Sequence, residues 1–290
     1  MEQSDSPSKA LIVYVSEGIH FSQQQDTAAC SVQYLDEHVV ARGCTGIGVY
    51  CDDSTSGEEQ VMRSLYVQQG GEDTLRIYKD NVVMTGFVTH EDQVPILEKS
   101  RVGKIQRIFH PDIKENNNKH ISVDSVDSVA DSIMDAFCNT AGGDASDIVC
   151  LLVSPKHMEV VSPLGWTNDL IRRLDAIEGF SSNVFLCLVT ECRGFDVLRK
   201  EKELLDGTSG LSLLRPPQSF MFRGASKVPI DSSKVGVFVY RLPGSTRIDD
   251  VESLADIDGV YSKGGGKCIQ IERILYEVAY KVGHSLKYGA

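Results

Sequence analysis

The sequence predicts an α/β fold, a sheet of buried strands alternating along the chain with helices. Three observations predict it. Short apolar runs without charge, such as Ala10–Val15 and Val184–Val189, read as strands buried on both faces. Other stretches carry apolar residues at three- and four-residue spacing, the mark of amphipathic helices. The two kinds alternate along the chain, as they do where helical crossovers join parallel strands.

Taken in order, Ala10–Val15 is the first strand. Ala29, Val32, Leu35 and Val39 then mark a helix over 26–42, with Asp26 as N-cap and Gly43 past its end. Thr45–Cys51 is the second strand, so the chain opens strand–helix–strand, which implies a parallel pair with a right-handed crossover. Within 52–121, Leu75–Tyr78 and Val82–Met84 predict a hairpin, Lys104–Phe109 a further strand and Glu115–Lys119 a polar loop. That stretch reads as an elaboration of the sheet and carries no chemistry. Val126, Val129, Ile133 and Phe137 share one face of a helix over 122–139. Asp147–Val153 is a buried strand and Trp166–Ile177 a helix. Lys200–Asp231 contains Asp206-Gly-Thr-Ser-Gly210 and Pro216-Pro217 and reads as a long loop. Val235–Arg241 is a strand leading into Leu242-Pro-Gly244, and Ile271, Ile274, Leu275 and Val278 place a final helix over 269–286. The glycine clusters Gly43–Gly48 and Gly264–Cys268 lack the order of nucleotide-binding loops and read as turns.

Composition narrows the class. A chain of 290 residues fits one large α/β domain or two small ones, and its 41% hydrophobic content is ordinary for a globular protein. No apolar run approaches the length of a membrane span. The start, Met1–Lys9, is too polar for a signal peptide, so a cytoplasmic location with its 8 cysteines reduced is expected. No C-x-x-C pair suggests zinc, and no metal or cofactor is expected. The net charge of −12 argues against nucleic acid and anionic membranes as partners.

One sequence feature points to chemistry. Cys192 stands just past the apolar run Val184–Val189, at the carboxyl end of a strand, where open α/β sheets place ligand sites. Cys187, inside the run, reads as a buried small hydrophobe. Thr190-Glu-Cys192-Arg-Gly194 resembles the nucleophile motif of the caspase family of cysteine peptidases. Cys150–Ser154, Val160-Val161, Val235–Tyr240, Leu242-Pro-Gly244 and Cys268–Leu275 resemble later and earlier parts of that family in order. The resemblance implies a caspase-like three-layer sandwich, a mostly parallel sheet of about six strands flanked by helices. It divides the chain into a disordered start (1–9), a large-subunit-like part (10–199), an intersubunit-like linker (200–231) and a small-subunit-like part (232–290).

The departures from the family pattern carry the functional expectation. The position of the family's catalytic histidine holds Pro155, and its neighbouring glycine is Lys156. Proline accepts no proton, and loss of one oxyanion-hole donor costs about 10²–10³ in rate. Cys192 would keep the nucleophile and oxyanion positions, with His157 as the nearest substitute base. Thr190 replaces the pocket glutamine, and Arg247 is the remaining cation for reading a carboxylate. The expected protein is a pseudoenzyme without Asp-directed peptidase activity. It would regulate or decoy a caspase-type pathway by binding a protein partner such as an active family member. The alternative is an active cysteine endopeptidase using Cys192 and His157. A third reading is an unrelated α/β binding domain. Asp206 and Asp231 are the expected processing sites in the linker. Because only Lys287–Ala290 follow the final helix, the family's homodimer is expected to be weak or absent.

Overall fold

The computed structural model describes residues 7–20, 46–52, 82–100, 102–113, 119–138, 144–154, 163–193, 220–223, 226–229, 234–245, 267–271 and 274–284. Its strands are β1 (Lys9–His20), β2 (Gly46–Asp52), β3 (Met84–Val88), β4 (Lys104–Arg107), β5 (Phe109–Ile113), β6 (Lys119–Val123), β7 (Ile148–Val153), β8 (Val184–Arg193), β9 (Phe220–Arg223), β10 (Ser226–Pro229), β11 (Lys234–Arg241) and β12 (Lys267–Gln270). The helices are α1 (Val94–Glu98), α2 (Val126–Cys138), α3 (Pro163–Asp175), α4 (Phe180–Asn183) and α5 (Ile274–Lys281). A short 3-10 turn, Glu91–Gln93, precedes α1.

Eight strands form one sheet in the order β12-β2-β11-β8-β1-β7-β3-β4. Every neighbouring pair is parallel except the two that involve β11, so β11 alone runs against the rest. This is the α/β sheet expected from the alternation, with eight strands where about six were predicted. Strand β1 lies at its centre. Leu11, Val13 and Val15 enter one core, and Ala10, Ile12 and Tyr14 enter the other. A strand covered on both faces has no polar side, which is why its sequence runs apolar without alternation.

The two cores belong to different helices. Helices α2 and α3 cover the first with Val129, Ile133, Phe137, Leu164, Leu170 and Leu174. Helices α1 and α5 cover the second with Val94, Leu97, Ile274, Leu275 and Val278. The chain steps from β3 through α1 to β4, toward one edge of the sheet. It returns through α2 to β7 and through α3 to β8, toward the other. Right-handed crossovers must change faces when the direction of travel reverses, and they do.

Local rules place the ends of elements. Pro163 opens α3 at a position where its missing N–H costs nothing. Helix α5 closes in a Schellman turn: Gly283 has φ +78°, His284 N–H donates to Ala279 O at 2.8 Å, and Gly283 N–H donates to Tyr280 O at 3.0 Å. Leu242-Pro-Gly-Ser245 forms a tight turn after β11, with Gly244 at φ +73° and Ser245 N–H on Leu242 O at 3.2 Å.

Several sequence expectations change. β1 and β2 run in the same sense but are not paired, since β8 and β11 lie between them. Leu75–Tyr78, the predicted hairpin partner of Val82–Met84, lies outside the described residues, and β3 pairs with β7 and β4. β3 and β4 are therefore part of the main sheet, although both fall within 52–121. The run Lys104–Phe109 divides at buried Ile108, whose N–H bonds Val88 O at 3.1 Å, and β5 then turns away to pair with β6. The long loop predicted over 200–231 contains the β9–β10 hairpin. Gly46 and Gly48 lie inside β2, and Lys267-Cys268 opens β12, so neither glycine cluster is wholly a turn. The helix predicted over 26–42 lies outside the described residues.

Candidate functional site

Two adjacent parallel strands, β3 and β7, send the chain to opposite faces of the sheet. After β3 the chain enters α1 on the second core's face, and the helix that follows β7, α3, lies on the first core's face. The carboxyl ends of such a pair form a crevice, because the helices that follow them lie on opposite faces of the sheet. The residues that end these strands are polar: Thr89 and His90 after β3, and Ser154 after β7.

These residues are bound into one arrangement. The Ser154 N–H donates to Thr89 Oγ1 at 2.9 Å, joining the two strand ends across the crevice. Thr89 N–H also reaches Leu152 O at 3.2 Å. Gln93 Oε1 accepts from Thr89 N–H at 3.0 Å and from His90 N–H at 3.1 Å, with the Thr89 hydroxyl at 3.4 Å. His90 Nδ1 accepts from Asp92 N–H at 3.2 Å and lies 3.4 Å from Asp92 Oδ2. His90 and Gln93 thus form a capping box around the 3-10 turn. With Nδ1 accepting, the neutral ring carries its proton on Nε2. The His90 side chain is 8% exposed and that of Asp92 is 61% exposed.

Sequence reasoning missed this cluster. Phe87-Val-Thr-His90 has the same signature as the run before Cys192, a buried strand ending in polar groups. It lies in the stretch read as an elaboration, because the hairpin expected around Met84 hides a strand of the main sheet.

The residues that the sequence singled out stand elsewhere. Cys192 is not past its strand: β8 continues to Arg193, and Cys192 sits opposite Ile19 of β1 and Val235 of β11. Paired neighbours on both sides carry the strand further than the charge pattern indicates. Thr190 is buried in β8 opposite Val15 and Val237. Pro155, Lys156, His157, Asp206, Asp231 and Arg247 lie outside the described residues. Cys187 is buried as expected, and burial pushes its thiol up to about 12. Cys150 is likewise pushed up to about 12 by burial. Among the described residues, no group of three or more His, Cys, Asp or Glu could hold a metal ion.

No protein-family model matches the chain, and no curated protein matches it in sequence. Solved structures do match. The lipoteichoic acid synthase LtaP from Listeria monocytogenes superposes with a TM-score of 0.49 at 9% identity, over 98% of this chain and 75% of LtaP. The Streptococcus pyogenes phosphoglycerol transferase GacH gives 0.47 at 8% identity, over 98% of this chain and 77% of GacH. A protein of the alkaline phosphatase superfamily from Vibrio parahaemolyticus gives 0.43 at 9% identity, over 85% of this chain and 65% of its own. At these identities and scores, none of the matches assigns an activity to this chain.

The caspase resemblance is corrected by them. The matched proteins are named as a lipoteichoic acid synthase, a phosphoglycerol transferase and a protein of the alkaline phosphatase superfamily, and none is named as caspase-like. The pseudoenzyme of a caspase-type pathway falls with the resemblance, and so does the cysteine endopeptidase alternative. The roles that the resemblance lent to Cys192, His157, Thr190 and Arg247 lose their basis. The short motifs behind it, a buried strand followed by Cys-Arg-Gly and a strand followed by Pro-Gly, suit any open α/β sheet.

Proposed function

We propose that the chain is an enzyme-class α/β domain taking a small polar ligand between the carboxyl ends of β3 and β7, with His90 as its proton-transfer group. One observation carries the reading: α1 and α3 follow adjacent parallel strands and lie on opposite faces. Open α/β sheets bind their ligands at such a point. Among the described residues, His90 is a buried histidine at this end of the sheet, the residue type whose ordinary charge change lies near neutral pH. Its tautomer is fixed by a backbone amide, which suits general acid–base work. The polar groups of Thr89 and Ser154 suit a ligand rich in hydrogen-bonding oxygens, such as an ester, taken in exchange for the bonds they make to one another and to Gln93.

The test is turnover of three probe classes: a phosphate monoester, a phosphodiester and a carboxylic ester. Wild type is compared with His90→Asn, which keeps a neutral cap acceptor for the turn. The expected result is turnover of one class that falls by about 10²–10⁴ in the variant. Turnover unchanged in His90→Asn, or no turnover or binding of any class by wild type, overturns the reading.

A further inference from the structure

Helix and turn N-caps are usually Ser, Thr, Asp or Asn, whose acceptor oxygens persist through neutral pH. Here the cap is an imidazole nitrogen. His90 Nδ1 accepts the Asp92 N–H at 3.2 Å, and that acceptor vanishes once the ring takes a second proton. We propose that His90 is a proton-operated cap: protonation releases the 91–93 turn and loosens the link between the ends of β3 and β7.

The geometry supplies both states. In the neutral state the Nδ1 lone pair holds Asp92 N–H. In the charged state Nδ1–H becomes a donor, and Asp92 Oδ2, already 3.4 Å away, becomes its acceptor. The Asp92 backbone amide then loses its partner at the ring, and the turn loses one side of its capping box. The other side is Gln93 Oε1, which holds the amides of Thr89 and His90. Thr89 Oγ1 in turn accepts the Ser154 amide of the β7 end. A change in the turn therefore reaches Ser154 through Gln93 and Thr89, with no further contact needed.

The charged groups around the ring favour a responsive cap. The turn itself brings Asp92 and Glu91. Glu91 is engaged by Arg107 of β4, at 3.4 Å. β7 brings Leu152 and Ser154 to neighbouring Thr89, and neither carries a charge. Among the described residues, Asp92 is the carboxylate within ion-pair distance of the ring and receives the new donor.

This inference goes beyond the proposed function and needs no ligand to test. Ring and amide resonances of isotope-labelled protein are followed by NMR from pH 8 to pH 5. The expected result is one shared midpoint for the His90 ring, the Asp92 amide and the Ser154 amide. Below that midpoint the Asp92 amide should exchange about fivefold faster relative to its intrinsic rate, the factor matching loss of an N-cap worth ~1 kcal/mol. His90→Asn should flatten both amide responses. An Asp92 amide indifferent to the ring's titration in wild type overturns the proposal, whether or not the variant folds. So does a His90→Asn protein that keeps the response. Failure of every ester probe would leave this outcome untouched, so the two readings fail separately.

Discussion

The two ends of the sheet each set a histidine beside an aspartate, and they use the pair differently. At the amino end, His284 Nε2–H donates to Ser8 O at 2.7 Å, with Asp147 Oδ1 at 3.6 Å. Asp147 Oδ2 accepts the Val83 N–H at 2.9 Å, and the Asp147 carbonyl accepts the Ala10 N–H at 2.9 Å. Four segments distant in sequence meet there. At the carboxyl end the bonds of His90 and Gln93 span only two to four residues, and a side-chain bond from Thr89 to Ser154 crosses to the next strand. The amino end is a staple. The carboxyl end is a local turn with a titratable acceptor, at the point where the connections part. Residue type alone does not separate the two; strand polarity does.

The comparison breaks most sharply at a second staple of the amino end. Arg241 at the end of β11 grips Asp175 at the end of α3 with both Nη atoms, and both side chains are nearly buried. Removing one partner of a buried pair strands the other charge, so Asp175→Ala should cost about 3–5 kcal/mol. Urea unfolding checks it. The carboxyl-end contacts should survive in the folded fraction, with the His90 ring resonance unchanged.

Gly86, in the middle of β3, offers the converse. A Cβ there would collide with Leu97 of α1 and come within 2.9 Å of Val102 Cγ1. Gly86→Ala should push α1 off β3 and cost about 1–3 kcal/mol. Here the amides of 91–93 should shift while those of Asp147 and His284 stay in place. Next in size is His284→Ala, which loses one hydrogen bond and should cost about 0.5–1.5 kcal/mol by urea unfolding, with the turn at 91–93 unaffected.

The buried thiols give the smallest effect. Cys150 and Cys187 both sit opposite Ile12 of β1, and burial raises each from 9.0 to about 12. Only the unfolded chain releases these protons just above pH 9.0. Their contribution to stability is therefore complete below that pH and is lost as pH climbs from there toward about 12. Urea midpoints at pH 8 and pH 10 test the sign. At pH 8, exposed Cys138 should react with iodoacetamide in the native protein while Cys150 and Cys187 stay unmodified.

Much of the fold was legible because burial on both faces writes itself as an uninterrupted apolar run. Ala10–Val15, Val184–Val189 and Val235–Arg241 lie in strands of the main sheet, and Asp147–Val153 does so from Ile148 on. Strand order was not legible. Nothing in β1 or β2 tells that β8 and β11 come between them, because pairing partners are chosen by the crossovers and not by the strands' own residues. The site was lost for a related reason. Met84–Val88 is five residues long and contains Thr85 and Gly86, which dilute the apolar signal. Thr85 is buried because its hydroxyl meets Ser146 at 2.7 Å, and Gly86 because α1 packs on it. Both are tertiary facts that a single segment cannot display. Cys192 stands inside β8 and not past it, and a cysteine and an arginine near a strand's end do not specify a peptidase.

The most direct test of the account is to map where a small ligand touches the sheet. Backbone amide shifts of labelled protein are recorded during titration with the ester probes. The account predicts saturable shifts at Thr89, His90, Gln93 and Ser154. A contrary outcome is shifts confined to the amino end, where Asp175, Ser181, Arg241 and Ser245 line a cavity of about 420 Å³, with 89–93 and Ser154 silent. That would place the working site at the wrong end of the strands.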